Sequence, residues 1–144
     1  LRTDKLGWPG ATWRAHLTLP RSRVDDQRLG VSRAARESPR FVASAGYDQT
    51  LPAGVSFGAS VQHSGAVRTQ VPDSQDYLTR RRTVLDAYVL KRLTAQLNLR
   101  LSLQNLLKAD TRRQLYVEDG ADQWSLASTS GGVRTVLLSL EGKW

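Results

Sequence analysis

The sequence contains neither cysteine nor methionine. The lack of cysteine excludes a disulfide framework, a thiolate metal site and a cysteine nucleophile. The chain starts at Leu1, and residues 1–10 show no basic start followed by an apolar core, so we expect any export signal to lie upstream. No run of about 18 apolar residues is present, which excludes a transmembrane helix but not membrane-spanning strands, whose apolar residues alternate.

Catalytic motifs are missing as well. His16 and His63 are the only histidines, and neither has an acidic residue at ligand spacing, which favours polar lining or loop roles over a metal site. Serine, histidine and aspartate occur, but no Gly-x-Ser-x-Gly turn presents a nucleophile. The glycines at 131–132 and in residues 7–10 are typical of turns rather than of phosphate-binding loops. We therefore expect no enzyme, no metal ion and no cofactor.

Positive charge is abundant, because 21 Lys and Arg outnumber 13 Asp and Glu to give a net charge of +8. Such a balance is typical of proteins that bind nucleic acid or an anionic membrane surface. Where the arginines lie relative to the secondary structure decides between these two classes.

Alternation of apolar and polar residues is the clearest pattern in the chain. Leu97, Leu99, Leu101 and Leu103 are separated by polar residues, and a strand places all four on one face whereas a helix would scatter them. The same period recurs less strictly in five other segments. The sequence therefore predicts an all-β chain with strands at about 13–19, 41–50, 55–62, 84–90, 97–105 and 133–144.

The predicted connections alternate in length. Residues 20–40, 63–83 and 105–132 form long connections, whereas 51–54 and 91–96 form short turns. Outer-membrane β-barrels have this arrangement, with short periplasmic turns and long outer loops. A strand of about nine residues tilted by about 40° covers roughly 23 Å, close to the height of their apolar band. We therefore predict an antiparallel transmembrane β-barrel whose final strand runs inward.

Six strands cannot close a barrel around a pore, because the smallest barrels have about eight, so we expect this chain to form part of a larger wall. Trp13, Tyr47 and Trp144 lie near strand ends on the predicted inner side, where an aromatic girdle is expected; ordinary core or surface aromatics are the alternative. Polar strand residues would line the wet interior. The candidates are Arg14, His16, Asp48, Gln62, Asp86, Tyr88, Asn98, Arg100 and Gln104.

Residues 131–144 resemble the final strand of bacterial outer-membrane proteins, which ends in an aromatic residue after apolar residues at alternate positions. Here Trp144 stands where Phe is usual, and Gly142 stands where Tyr is common. In that family this strand is read by the barrel-assembly machinery. The resemblance implies that the assembly signal consists of Val136, Leu138, Leu140 and Trp144.

Residues 85–107 resemble the last hairpin of TonB-dependent receptors, including their Asn-Leu-Phe-Asp motif at the strand end. Asn105 and Leu106 match that motif, whereas Leu107 and Lys108 depart from the usual Phe and Asp. The resemblance implies a barrel of about 22 strands, of which this chain would form the C-terminal six, plugged by an N-terminal domain outside the chain. It implies energised uptake of a ferric siderophore, cobalamin or a similar ligand at the bacterial outer membrane, with TonB acting through that missing part.

The arginines concentrate in the long predicted connections, on the outer side of such a barrel. There they could contact the phosphates of lipopolysaccharide or attract an anionic ligand, and a solvated, partly disordered loop is the alternative. The candidates are Arg21, Arg23, Arg28, Arg80, Arg81, Arg82, Arg112 and Arg113.

Two other functions stay open at this point. One is a self-contained small barrel or oligomeric porin, which would have a signal peptide directly before Leu1. The other is a soluble basic β-domain that binds nucleic acid, which should carry aromatic residues and arginines together on one strand face. Residues 97–104 instead have leucines on one face and one arginine on the other, and in water that leucine face would be an exposed apolar patch. We therefore expect membrane lipid and lipopolysaccharide as partners, and no nucleic acid.

Overall fold

The computed structural model of the chain describes residues 9–20, 24–26, 31–33, 39, 41–71, 75–119 and 122–142. Within these ranges the chain is all-β and antiparallel, as predicted, with one 3-10 turn at Pro52–Gly54. None of its described segments is a helix long and apolar enough to cross a membrane. The strands are β1 (Ala11–Thr18), β2 (Val24–Asp26), β3 (Val31–Arg33), β4 (Val42–Leu51), β5 (Val55–Ser64), β6 (Val67–Val71), β7 (Gln75–Thr79), β8 (Arg82–Arg92), β9 (Leu97–Gln104), β10 (Thr111–Asp119), β11 (Asp122–Ser130) and β12 (Thr135–Gly142).

Six strands form the large sheet, in the order β1-β4-β5-β8-β9-β12. Each overlaps one strand predicted from the alternating residues, and the ends differ by at most two residues. The short connections β4–β5 and β8–β9 both lie at one end of this sheet, which we call the turn end. The long connections leave from the opposite end, the hairpin end. The predicted alternation of connection lengths is therefore present in the fold.

The long connections contain further strands, which the sequence did not predict. Strands β2 and β3 pair with each other within the first long connection. Strands β6, β7, β10 and β11, from the other two long connections, form the small sheet in the order β11-β10-β7-β6. The pairing of β7 with β10 joins hairpins that are distant in sequence, and no local pattern announces such a partner.

Strands β5, β6, β7 and β8 form one long hairpin that extends from the large sheet into the small sheet. The pairing register of this hairpin is the same in both sheets. β5 and β6 are separated by two residues, and so are β7 and β8. Ser64 opposes Arg82 before this gap, and Val67 opposes Thr79 after it, so neither strand gains a residue on the other. Because side chains alternate along a strand, residues of one parity keep one face through both sheets.

The large sheet has one apolar and one polar face. The cross-strand pairs place alternate residues of each strand in rows, so that the period of two in the sequence becomes a period of two across the whole sheet. The apolar face contains the row Trp13–Tyr47–Ala59–Ala87–Leu103–Val136. The polar face contains the adjacent row Arg14–Gly46–Ser60–Asp86.

No hydrophobic core covers the apolar face in the part of the chain that the structure describes. The only buried hydrophobic residues there are Ala11 and Val117, while Leu17 and Leu138 are 63% and 65% exposed. Extensive contacts between strands occur only between hydrogen-bonded neighbours in a sheet. No second layer packs on either face of the large sheet within the described residues. A sheet in water normally buries such a face against another layer.

Candidate functional site

The polar residues predicted to share one face do share the polar face of the large sheet. The strand pairing places Arg14 and His16 of β1 beside Gly46 and Ser44 of β4, and the later strands continue these rows. The full set on this face is Arg14, His16, Asp48, Gln62, Asp86, Tyr88, Asn98, Arg100 and Gln104.

The middle of the polar face forms an open, concave pocket of about 290 Å³. Both charge signs line it, with two arginines and two aspartates, so it is close to neutral in net charge. His16, Gln62 and Asn98 lie on the same face but outside the pocket. The polar lining consists of Arg14, Asp48, Ser60, Asp86, Tyr88, Arg100, Ser102 and Gln104.

Asp48 is held from two sides. Its Oδ2 forms an ion pair with the guanidinium of Arg14 on β1. Its Oδ1 accepts a hydrogen bond of 2.6 Å from the hydroxyl of Tyr88 on β8. Since β5 lies between β4 and β8, the Tyr88 side chain reaches across a complete strand to make this bond.

Gly58 makes that reach possible. It lies between Asp48 and Tyr88 in the same cross-strand row, and its own residue surface is buried beneath them. A Cβ at this position would lie 2.6 Å from Asp48 Oδ1 and 2.7 Å from Tyr88 Cε1, closer than atoms can approach. A side chain on residue 58 would therefore occupy the path of the Tyr88 ring.

Arg100 extends the network toward the other edge of the sheet. Its guanidinium carbon lies 4.6 Å from the centre of the Tyr88 ring, in cation–π contact, and its Nε donates a hydrogen bond of 3.2 Å to Ser102 Oγ. Its Nη1 lies 3.8 Å from Glu141 Oε1 on β12. We call the resulting chain of Arg14, Asp48, Tyr88, Arg100 and Glu141 the polar ladder.

The polar ladder offers hydrogen-bond donors and acceptors on a fixed wall. Its charges alternate in sign, and each is partly satisfied by its neighbours. The described residues hold no group of three or more His, Cys, Asp or Glu that could ligate a metal ion. The arrangement offers these groups for contact with water or a polar surface.

Asn105 fixes the point where β9 leaves the large sheet. Its backbone has a positive φ of 53°, and the residue is only 9% exposed. Its N–H donates to Asp86 Oδ1 at 2.8 Å, its Oδ1 accepts from Ala109 N–H at 2.8 Å, and its Nδ2 donates to Val133 O at 3.1 Å. Asparagine tolerates this backbone conformation and satisfies groups on both flanking segments, so it ties β8, β9 and the approach to β12 together.

Asp110 bonds to the segment between β11 and β12, close to the junction that Asn105 holds. Its Oδ1 accepts a hydrogen bond of 3.0 Å from Gly132 N–H, and its Oδ2 lies 3.3 Å from Arg112 Nη2. The Gly132 amide, and after it Arg112, hold the pKa of the Asp110 carboxyl below its ordinary value because both favour the charged form. The carboxylate therefore joins the two segments that flank the β10–β11 hairpin, and we call this contact the Asp110 clamp.

The described arginines among those predicted to contact an anionic ligand or lipopolysaccharide are divided between the two faces. Arg80 and Arg112 pair with Gln114 and Asp110, and Arg82 lies in the polar-face row of Ser64, its Nε buried without a partner among the residues described. Arg113 lies on the opposite face, beside Thr79. Arg81 is exposed, and Arg21, Arg23 and Arg28 lie outside the described residues.

Aromatic residues gather at both ends of the apolar face. Toward the turn end, Trp13 lies near the start of β1 and Phe57 near the start of β5. Their rings lie 4.5 Å and 6.2 Å from the ring of Tyr47, which is in the middle of β4. At the hairpin end, the Phe41 ring stacks on His63 at 5.2 Å.

The predicted assembly signal is described in part. Val136, Leu138 and Leu140 share the apolar face of β12, while Trp144 lies outside the described residues. β12 is also one edge of the large sheet, and its free side has no partner strand within the described ranges.

Sequence reasoning missed Gly58, Asn105 and Glu141 as members of the polar-face network. A glycine inside an alternating strand indicates close approach of another group, so the close contact at Gly58 could have been predicted from the sequence. Asn105 was noted for a motif but not for its bonds, and the Arg100–Glu141 pairing depends on which strand lies beside β9.

No known protein family, characterised protein or solved structure matches this chain.

Proposed function

We propose that this chain forms part of the wall of an outer-membrane β-barrel, with its apolar face against lipid and its polar face toward an aqueous interior. The observation that carries the proposal is the separation of the two faces. All three carboxylates in the strands of the large sheet, Asp48, Asp86 and Glu141, lie on the polar face, while the apolar face has no protein cover in the described part. Lipid covers such a face without a protein layer.

The height of the apolar band supports this orientation. On β8 the apolar face begins after Lys91, at the turn end, and residue 81 lies ten positions away at the hairpin end. Ten residues at about 3.3 Å rise, tilted by about 40°, cover roughly 25 Å. That is the height of the apolar band of an outer-membrane barrel, with a cation at each margin.

The aromatic pairs and the sheet edges support it as well. Trp13 and Phe57 near one margin, and Phe41 near the other, occupy the levels where aromatic belts meet head groups. β1 and β12 are the two edges of the large sheet, and closure into a barrel would pair both.

We propose further that the complete barrel is a TonB-dependent receptor that takes up a ferric siderophore or a similar ligand with energy supplied through TonB. The resemblance of residues 85–107 to the last receptor hairpin supports this, with Asn105 as the bonded joint between wall and outer hairpin. The polar-face arginines Arg80, Arg82 and Arg112 lie at the outer end of the interior wall, where they would draw an anionic chelate inward.

Paired substitutions test the orientation of the wall. Leu101 and Ser102 are neighbours near the middle of β9 on opposite faces. In the intact, lipid-inserted protein, Leu101→Arg should lower the free energy of unfolding by about 2–4 kcal/mol, because it places a charge in hydrocarbon. Ser102→Arg should cost far less, since its side chain meets water. Equal costs would defeat the proposed facing.

A transport measurement tests the receptor. Cells that express the intact protein should accumulate a ferric siderophore only while the proton gradient is intact and TonB is present. Uptake that continues after the gradient collapses, or in cells without TonB, would indicate passive diffusion through a porin instead.

A further inference from the structure

Two arginines of the hairpin end lie on the apolar face, apart from the others. Arg113 opposes Thr79 and shares its face with Leu115 and Val117, whereas Arg112 points to the polar face and pairs with Asp110. Because one register runs through β5–β8, the face of Thr79 is continuous with the apolar face of the large sheet.

Arg81 belongs to the same face by its position. It lies two residues after Thr79 and two before Thr83, whose hydroxyl meets His63 Nδ1 at 2.7 Å on the apolar face. The equal two-residue gaps on both strands leave the alternation undisturbed at Arg81. A strand spacing of about 4.8 Å and a rise of about 3.3 Å place the Arg81 and Arg113 backbones roughly 8 Å apart.

The surroundings of this pair are apolar or hydroxylic and carry no carboxylate in the large sheet. Phe41 stacks on His63, and the backbone N–H of Gly65, which faces Arg81 across the gap, donates to Phe41 O at 2.9 Å. Both arginine side chains are exposed and make no side-chain hydrogen bond or ion pair in the described part of the protein. Two unpaired guanidinium groups therefore project from the margin of the apolar band.

We propose that Arg81 and Arg113 together bind the phosphate groups of membrane-lipid head groups at the outer margin of the apolar band. The inference rests on the proposed function, because lipid must first cover the apolar face. Guanidinium groups bind phosphate oxygens in bidentate pairs, and the two side chains are close enough to engage one head group or two adjacent ones. The polar-face arginines cannot reach this lipid, because the strand wall separates them from it.

The experiment measures lipid binding by the intact protein, purified in a neutral detergent, against phosphatidic acid and phosphatidylcholine. The double variant Arg81→Gln/Arg113→Gln should lose affinity for phosphatidic acid by about 25-fold, from about fivefold for each arginine near a charged lipid surface. Its affinity for phosphatidylcholine should change little. The matched control Arg80→Gln/Arg112→Gln, on the polar face of the same strands, should bind phosphatidic acid like the wild type.

Three outcomes would overturn the inference. The first is an unchanged affinity for phosphatidic acid in the Arg81/Arg113 variant. The second is an equal loss in the Arg80/Arg112 control. The third is competition by millimolar inorganic phosphate to the same extent as by phosphatidic acid, which would assign the site to free phosphate.

A separate measurement distinguishes failure of the proposed arginine site from failure of the proposed membrane wall. A nitroxide on Leu101→Cys reports lipid contact in the middle of β9, far from both arginines. Lipid contact at Leu101 with unchanged phosphatidic acid binding would reject the arginine site and keep the membrane wall. Water contact at Leu101 would reject both.

Discussion

The hydroxyl of Tyr88 bonds to Asp48 at 2.6 Å directly over Gly58, so that β4 and β8 are joined across the intervening strand. This bond exists because one residue between them lacks a side chain. It joins the Arg14–Asp48 ion pair to the Tyr88–Arg100 contact within the polar ladder.

Substitution of Gly58 should break this link. Gly58→Ala places a methyl group 2.6 Å from Asp48 Oδ1, so we expect a loss of about 1–3 kcal/mol in the free energy of unfolding, from overpacking. The control is Gly46→Ala, on the same face, where the nearest atoms lie 3.8 Å away and the cost should be small. Urea unfolding of the intact protein in lipid vesicles measures both, and equal costs would contradict the explanation.

Two substitutions of Tyr88 separate the contribution of its hydrogen bond to Asp48 from that of its cation–π contact with Arg100. Tyr88→Phe should cost about 1–2 kcal/mol, because Asp48 loses a donor while Arg100 keeps the ring. Tyr88→Leu should cost roughly 0.5–1 kcal/mol more, since the cation–π contact is lost as well. A double-mutant cycle with Arg100→Gln checks this: coupling should survive in the Phe variant and vanish in the Leu variant.

The Asn105 junction should depend on backbone and side chain separately. Asn105→Gly keeps the positive φ but loses the bonds to Ala109 and Val133, whereas Asn105→Ala loses both features. We expect Ala to destabilise by roughly 1 kcal/mol more than Gly. An Ala variant as stable as the Gly variant in urea unfolding would show that backbone conformation contributes nothing at this position.

The clamp at Asp110 should open only in acid. Its pKa lies below the ordinary value of 3.8 because the Gly132 N–H and Arg112 favour the carboxylate. The stabilisation is therefore complete above about pH 5 and lost as the pH falls through the lowered pKa. A carbon-13 titration of the Asp110 carboxyl should have its midpoint below 3.8, and this transition should vanish in Asp110→Asn. A midpoint above 3.8 would contradict the geometry.

Apolar residues that lie on the polar face distinguish the facing seen in the structure from a facing assigned by hydropathy alone. Val84 and Leu90 lie on the polar face of β8, whereas Leu85 and Val89 lie on the apolar face. The chain has no cysteine, so nitroxides can be attached one at a time to single cysteines introduced in this segment. In a bilayer, labels at 85 and 89 should favour oxygen as the relaxation agent, and labels at 84 and 90 should not. Oxygen preference at all four positions would contradict the two-faced wall.

The positions of the strands could be read from the sequence because side chains alternate locally. The leucines of β9 fixed their own face without any partner, and the same reasoning placed Arg14, Asp86 and Arg100 on one side. The strands of the small sheet could not be found this way, because charged residues interrupt the alternation of β10 and its pairing with β7 joins distant parts of the chain. The split of the arginines between two faces was missed for the same reason.

The sequence by itself determined that the chain is all-β, that its strands have one apolar and one polar face, and where short turns reverse them, since each of these follows from neighbours along the chain. Only the tertiary structure decided that Tyr88 meets Asp48 over Gly58, that Asn105 bonds to segments on both sides, and that Arg113 faces away from Arg112. These relations depend on strand order and register across the sheet, which are set by hydrogen bonds between residues far apart in sequence.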